Sequence, residues 1–235
     1  RVDALGGATQ RQLAQRGLAA REAQRPLIHV GSGVLHARAS EPLRHVAEAL
    51  GGPVTTSWAG RGALPDNHPQ LLPIWAMAPI NKARSEADVV LVVGSRLGET
   101  DWWGKPPYWG EPEDQRMIQV DIDDEVLGLN KAAGLAILAD ATAFLSALSV
   151  ELRRSPLNAK SLQANLARTA ALSENQVQIR AQLDVALDNI ARPMHSAHAP
   201  AACRRVFGND AVYVFDGGNT AVWANFFSEI NSCDA

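Results

Sequence analysis

The sequence predicts an α/β fold: a doubly wound parallel sheet of five or six strands with helices on both faces, followed by a long helical connector. From residue 26 to about residue 152, short apolar runs alternate with segments of helical periodicity. Val89–Val93 is apolar throughout, which is typical of a strand covered on both faces. Beyond residue 155 a long, rather polar stretch has no strand-like run, so the connector is predicted there.

The strands are predicted where short apolar runs occur, at residues 27–30, 54–57, 89–93, 117–122 and 135–138. Ser40 begins a helix whose apolar residues recur every three or four positions, and Gly51-Gly52 ends it. Further helices are predicted over 79–87 and from Asp140, as the cap, to about residue 152.

Three more helices lie outside this alternation. Thr9 is the predicted cap of one that ends at residue 24, and another covers 196–207. The third, over 159–190, is capped by Asn158, and its leucines keep no strict heptad. A connector packed across a domain surface is therefore favoured over a coiled coil.

Composition excludes several classes of protein. With 46% hydrophobic and 20% charged residues the chain is typical of globular proteins, and its net charge of −3 gives no footprint for nucleic acid. No apolar run approaches the roughly 18 residues of a membrane span. Two cysteines, Cys203 and Cys233, are too few for a disulfide framework or a four-cysteine zinc site. We therefore expect a cytoplasmic protein that binds neither nucleic acid nor membrane.

Ligands of open parallel sheets bind at the carboxyl ends of strands, and the first such end is Gly31-Ser32-Gly33. As a dinucleotide fingerprint it is weak, because His36 occupies the third glycine position and no acidic residue ends the second strand. This argues against a conventional NAD dehydrogenase. Gly33 either contacts a nucleotide or serves the geometry of the turn alone.

Two more strand ends carry polar side chains. Arg96 can bind a phosphate or carboxylate, or it can pair with Glu99 or Asp101. Asp121 and Asp123 follow the fourth strand in the sequence Asp-Ile-Asp, where they can hold ribose hydroxyls. Alternatively, these two aspartates can cap a short helix that begins near residue 124.

The loop at 101–112, DWWGKPPYWGEP, concentrates four large aromatic residues. Such density predicts burial of Trp102, Trp103 and Trp109 in a subunit interface, a ligand wall or a lid, with the interface favoured. The histidines show no metal-ligand spacing beyond His195 and His198, which are more typical of surface or cap positions. No metal ligand is therefore predicted.

The segment 212–223, VYVFDGGNTAVW, has the pattern of a strand, a glycine turn and a helix start. Such a turn presents backbone N–H groups and a positive helix end to an anion, typically a phosphate. Because a domain built this way needs about 100 further residues, we expect the chain to hold one complete domain and the opening of a second.

Several stretches carry a family resemblance. Residues 26–152 resemble the central domain of thiamine-diphosphate-dependent enzymes of the acetolactate synthase-like superfamily. The matching stretches are RPLIHVGSGV (25–34), LRHVAEALGGPVTTSWAGRGALPDNHP (43–69), EADVVLVVGSRLG (86–98) and MIQVDIDDEVLG (117–128). GRGALPDNHP is the most specific of them, and residues 196–235 resemble the start of the family's diphosphate-binding domain.

The resemblance implies four segments: an inter-domain linker helix (1–24), a central domain (25–155), a helical connector (156–195) and an incomplete diphosphate-binding domain (196–235). The central domain would have the DHS-like NAD/FAD-binding fold. The family's pyrimidine-binding domain would precede residue 1, and its Gly-Asp-Gly…Asn metal motif would follow residue 235. We therefore expect an inactive fragment without catalytic or metal-binding residues of its own.

The implied enzyme uses thiamine diphosphate and Mg²⁺ to cleave or form C–C bonds next to a carbonyl, by 2-keto acid decarboxylation or carboligation. It would act on a 2-keto acid or acyl substrate as a homodimer or homotetramer. By alignment, Gly218, Asn219 and Thr220 would hold the diphosphate.

The central domain could hold FAD or ADP near Gly33, Arg96 and Asp121, although the loop DWWGKPPYW replaces a polar segment and argues against FAD. The alternative is a stand-alone FAD-, ADP- or NAD-binding module, or a non-catalytic assembly domain.

Overall fold

The computed structural model describes residues 17–208 and 211–231. The strands are β1 Pro26–Val30, β2 Val54–Thr56, β3 Val89–Val93, β4 Arg116–Asp121 and β5 Leu135–Leu138. The helices are α1 Ser32–His36, α2 Ser40–Leu50, α3 Met77–Glu86, α4 Ala141–Arg154, α5 Ala159–Asp188, α6 His198–Phe207 and α7 Gly218–Phe227. Short 3₁₀ helices cover Leu18–Glu22, Trp58–Gly60, Glu99–Gly104 and Asp124–Val126.

The five strands form one parallel sheet in the order β2-β1-β3-β4-β5. Its central pairing runs from Pro26 opposite Val89 to Val30 opposite Val93. One face is covered by α2 and α4, whose Leu43 and Phe144 share a buried apolar cluster. The other face is covered by α3 and α5. The predicted doubly wound α/β fold is confirmed.

Helix α5 is about 45 Å long at 1.5 Å per residue, and it packs across the domain as a connector would. Asn165 Nδ2 donates a hydrogen bond of 2.7 Å to the carbonyl oxygen of Leu50. Thr169 Oγ1 donates a hydrogen bond of 2.9 Å to the carbonyl oxygen of Gly51. Gly51 ends α2 with a φ of +68°, in the left-handed region. The connector thus satisfies carbonyl groups that the end of α2 leaves unpaired.

The predicted strand over residues 212–215 is wrong. Val212 and Val214 are largely exposed, and this extended segment joins no sheet within the described part of the chain. A strand is stable only when a neighbouring strand accepts its backbone hydrogen bonds, and β2 and β5 border the sheet without it. The helix predicted after the glycine turn does form, as α7.

At the amino end, residues 9–16 of the predicted first helix lie outside the described residues, and Leu18–Glu22 is a 3₁₀ helix. Residues 232–235, including Cys233, also lie outside. In residues 17–208 and 211–231, no helix has both the length and the hydrophobicity of a membrane span. The boundaries 1–24, 25–155, 156–195 and 196–235 stay predictions.

Candidate functional site

A cleft of about 650 Å³ lies at the carboxyl ends of the strands. The strand order places it where the connections from β1 and β3 diverge to opposite sides, which is the usual ligand position of an open parallel sheet. It is lined by the residues predicted from the three strand ends and by the segment after β2, notably Gly31, Gly33, Ser57, Trp58, Gly94, Arg96 and Asp121.

The glycines of the cleft allow two backbone segments to touch. A Cβ atom on Gly31 would lie 2.1 Å from the carbonyl oxygen of Gly94, and one on Gly33 would lie 2.7 Å from the Gly94 Cα. The Gly33 N–H donates a hydrogen bond of 3.1 Å to the carbonyl oxygen of Gly94. Close approach of the turn after β1 to the end of β3 therefore requires both glycines, whether or not a ligand binds.

Arg96 is exposed at the cleft, and its guanidinium makes no hydrogen bond or ion pair with any described residue. The alternative in which Arg96 pairs with Asp101 is wrong, because Asp101 is buried beside a different arginine, Arg84. Arg96 therefore keeps its side chain available to an anionic ligand.

The two acids after β4 have separate roles. Asp123 Oδ1 accepts a hydrogen bond of 3.0 Å from the Glu125 N–H, so the predicted cap of the short helix is confirmed for Asp123. Asp121 Oδ1 accepts one of 3.1 Å from the Asp123 N–H, and Asp121 still lines the cleft. A ribose contact by Asp121 stays a prediction.

A buried polar cluster that was not predicted from the sequence reaches the lining of the cleft at Asp101. Arg84 Nη2 lies 2.9 Å from Asp101 Oδ1, and His29 Nε2 lies 3.3 Å from Asp101 Oδ2. On its other side, His29 Nδ1 lies 3.0 Å from Thr55 Oγ1. The indole of Trp109 donates a hydrogen bond of 2.7 Å to the Asp101 carbonyl oxygen. The cluster ties the start of the aromatic loop to β1, β2 and α3.

Burial sets the charge states in this cluster. It lowers the pKa of His29, against the opposing effect of Asp101, so the imidazole is neutral at pH 7. Burial opposes ionisation of Asp101, but the positive charge of the Arg84 guanidinium, 2.9 Å away, holds the pKa of Asp101 below its usual range. Burial also lowers the pKa of Arg84, although a guanidinium stays charged in proteins. The cluster therefore contains one buried ion pair, Arg84 with Asp101.

The aromatic loop is buried only in part. Trp109 is 1% exposed and packs in the apolar cluster with α3, as predicted. Trp102 and Trp103 are 39% and 44% exposed, so their predicted burial does not occur within the described chain. Both have φ values above 50°, in the left-handed region that residues other than glycine seldom adopt, and Trp102 stacks on Tyr108. Coverage of these two rings by another subunit stays a prediction.

The glycine turn before α7 presents an open helix end. Gly217 is the N-cap, no side chain caps the helix, and residues 216–220 are exposed. Gly218 has a φ of +69°, and a Cβ on it would meet nothing within 4 Å. The free N–H groups of this first turn suit a diphosphate, whereas the adjacent Asp216 carboxylate would repel it.

His195 and His198 both contact nearby backbone groups. His195 Nδ1 accepts a hydrogen bond of 3.2 Å from the Ala197 N–H, and His198 Nε2 lies 2.9 Å from the Asn189 carbonyl oxygen. Both histidines thus serve local backbone contacts. Within residues 17–208 and 211–231, no three His, Cys, Asp or Glu side chains are placed to hold a metal ion.

A family model for the central domain of thiamine pyrophosphate enzymes matches residues 19–148, more than half of the 235 residues. The chain belongs to this family. Thiamine pyrophosphate is thiamine diphosphate, so the superfamily resemblance deduced from the sequence is confirmed. The match spans every strand of the sheet and the whole cleft.

Several curated relatives are similar to this member of the thiamine pyrophosphate enzymes. A 2-hydroxyacyl-CoA lyase of Arabidopsis thaliana is 32% identical over 203 residues, which are 85% of this chain and 34% of the relative. A sulfoacetaldehyde acetyltransferase of Castellaniella defragrans is 36% identical over 61% of this chain and 24% of its own length. An acetolactate synthase of Mycobacterium avium is 35% identical over 61% of this chain and 23% of its own length. The chain spans at most about a third of the length of these relatives.

Proposed function

We propose that this chain serves a thiamine-diphosphate-dependent enzyme that cleaves or forms a C–C bond next to a carbonyl. The observation that carries the proposal is the family match over residues 19–148, followed in the family's order by an uncapped helix end at a glycine turn. The relatives named lyase, synthase and acetyltransferase support this reaction class. The substrate would be a 2-keto acid or an acyl compound.

The chain's own contribution is binding and orientation. The backbone N–H groups of Gly218, Asn219 and Thr220 would donate hydrogen bonds to the diphosphate, assisted by the positive end of α7. When bound, thiamine diphosphate supplies the electron sink that stabilises the carbanion left by C–C cleavage. Mg²⁺ would neutralise the diphosphate charge. We further propose a homodimer or homotetramer in the cytoplasm.

The test of the proposal is the cofactor content of the natural-length protein that carries this chain. Extraction and mass spectrometry should find thiamine diphosphate in an amount close to one per subunit. The same protein should release CO₂ from pyruvate or cleave a 2-hydroxyacyl-CoA. If it contains no thiamine diphosphate and does not bind the added cofactor with Mg²⁺, the proposal is wrong.

The 235-residue chain by itself should bind thiamine diphosphate only weakly and should not turn over pyruvate. An exposed helix end contributes about 0.3–1 kcal/mol to anion binding, whereas millimolar affinity already requires about 4 kcal/mol. Calorimetry with the cofactor and Mg²⁺ measures this directly. Micromolar binding would contradict the expectation and would mean that this turn is a more complete site than its open geometry suggests.

We propose a second ligand for the central cleft, an adenine nucleotide, because Arg96 lies free beside a glycine-lined opening. ADP is favoured over FAD, since the loop DWWGKPPYW replaces a polar segment. Replacing Arg96 with alanine should weaken ADP binding by about 1.5–3 kcal/mol, the contribution of a hydrogen bond to a charged group. Calorimetric titration with ADP and with FAD is the measurement. Arg205→Ala, an exposed arginine at the end of α6, is the matched control.

Equal ADP affinity in the Arg96→Ala variant and in the control would remove Arg96 from the site. ADP binding by a natural-length protein that holds no thiamine diphosphate would instead favour the stand-alone nucleotide-binding module.

A further inference from the structure

The loop at residues 60–66, part of the GRGALPDNHP stretch, contacts the far end of α7 rather than the cleft. Arg61 Nη1 donates a hydrogen bond of 2.8 Å to the Asn225 carbonyl oxygen. Arg61 Nη2 donates to the Ser228 carbonyl oxygen and to Asp66 Oδ2, the latter at 2.8 Å. One guanidinium thus binds two of the carbonyl groups around the carboxyl end of α7, which a helix cannot pair internally.

Asp66 completes this contact. Its Oδ2 atom also accepts a hydrogen bond of 3.1 Å from the Ile230 N–H, and its own N–H donates one of 2.7 Å to the Ile230 carbonyl oxygen. The Arg61 and Asp66 side chains are 5% and 7% exposed. We call these two residues the Arg61–Asp66 clasp. It holds the chain from 225 to 230 through these four hydrogen bonds, each between residues that lie 164 or 167 positions apart in sequence.

The base of the clasp is fixed on the sheet. A Cβ on Gly60 would lie 2.5 Å from the Val30 carbonyl oxygen, so the loop touches the end of β1. Ser57 Oγ accepts a hydrogen bond of 3.0 Å from the Gly60 N–H and holds the turn in place. The clasp is therefore a rigid attachment of α7 to the central sheet.

Helix α7 begins at the turn assigned to the diphosphate and ends at the clasp. Its ten residues span about 15 Å, and a helix of this length moves as one body. We propose that Arg61 and Asp66 are positioning residues, which fix the carboxyl end of α7 and thereby aim its amino end at the diphosphate. This inference rests on the proposed function. Both residues belong to GRGALPDNHP, the most specific stretch of the family resemblance, so this stretch would serve to position α7.

Direct binding of a ligand by Arg61 does not fit this geometry. Its Nη atoms already contact backbone carbonyl oxygens and Asp66, and its side chain is nearly inaccessible to solvent. A ligand would have to displace these partners and leave the Asp66 carboxylate buried without its arginine, which is strongly unfavourable.

The experiment compares Arg61→Gln and Asp66→Asn with the control Arg44→Gln, an arginine of α2 whose ion pairs are exposed. In the natural-length protein without cofactor, amide hydrogen exchange over 218–230 should accelerate by about tenfold or more in both clasp variants, because each loses charged hydrogen bonds. Exchange in β1 and β3 should stay unchanged. The control should match the wild type throughout.

In the same variants, the concentration of thiamine diphosphate needed for half-maximal activity should rise by about tenfold or more. The turnover rate at saturating cofactor should stay within about twofold, because the clasp touches no reacting atom. Arg61→Lys keeps the charge but not the forked geometry, and it should give an intermediate effect. This variant also serves if Arg61→Gln does not fold.

The outcomes separate the two hypotheses. Unchanged hydrogen exchange over 218–230 in Arg61→Gln and Arg61→Lys would show that the clasp does not hold α7, regardless of how the activity depends on thiamine diphosphate. Faster exchange with unaltered cofactor dependence would overturn the positioning role alone. A wild-type protein that binds no thiamine diphosphate would overturn the proposed function and, with it, the positioning role. The hydrogen-exchange rates would still show whether the clasp holds α7.

Discussion

Replacing Asp101 with alanine should lower the free energy of unfolding by about 3–5 kcal/mol, the cost of breaking a buried ion pair by removing one partner. The substitution leaves the Arg84 guanidinium charged at 3% side-chain exposure, without the carboxylate at 2.9 Å that now faces it. The Asp101 carbonyl oxygen still accepts the hydrogen bond from the Trp109 indole, so the loss of stability reports on the Asp101 side chain alone. Urea unfolding followed by circular dichroism gives the value.

Two controls identify the mechanism. Glu48→Ala removes a carboxylate that pairs with Arg44 on the surface at 2.8 Å, and it should leave the unfolding midpoint essentially unchanged. The double variant Arg84→Met/Asp101→Leu replaces both charges by apolar groups and should recover much of the lost stability. If Asp101→Ala behaves like Glu48→Ala, the buried cluster does not support the fold.

The strands and their order of appearance could be predicted because they depend on local pattern. Val89–Val93 is apolar at every position, and the structure places it in the middle of the sheet, covered by helices on both faces. The carboxyl-end rule then brought Gly33, Arg96 and Asp121 to one cleft from three separate strands. Their positions followed from topology, whereas their ligand contacts stay predictions.

The buried cluster could not be predicted in the same way, because its members come from different elements. Arg84 lies 55 residues from His29 and 17 from Asp101, so only the tertiary fold brings them together. One signal was available: Arg84 follows Ile80 by four positions and therefore occupies the buried face of α3. A charged residue at such a position indicates a buried partner.

The predicted strand over 212–215 and the predicted burial of Trp102 and Trp103 rest on the same physical assumption, that apolar residues are sufficient reason for a covered environment. The strand is wrong, whereas coverage of the two indole rings by another subunit or a ligand stays a prediction. Burial also requires a neighbouring surface, and the described chain offers none at these places. Trp109 is buried because its indole N–H reaches the Asp101 carbonyl oxygen and its ring packs beside α3.

The second large effect is expected at Gly31, where alanine should lower the free energy of unfolding by about 3 kcal/mol or more, at or above the upper end for overpacking. The added Cβ would lie 2.1 Å from the Gly94 carbonyl oxygen, 2.8 Å from the Gly94 carbonyl carbon and 2.7 Å from Ser95 Cβ. Backbone atoms cannot rotate away as a flexible side chain can. The ends of β1 and β3 would have to separate.

That separation would also strain the hydrogen bond of 3.0 Å from the Gly31 N–H to the Val93 carbonyl oxygen and would reshape the cleft. Chemical denaturation of Gly31→Ala, beside Gly217→Ala, is the measurement. Gly217 is the matched control because it has a φ of −66° and a Cβ there would meet nothing within 4 Å. A loss for Gly31→Ala as small as that for Gly217→Ala would mean that β1 and β3 do not meet at this distance, and the cleft between them would then have a different shape.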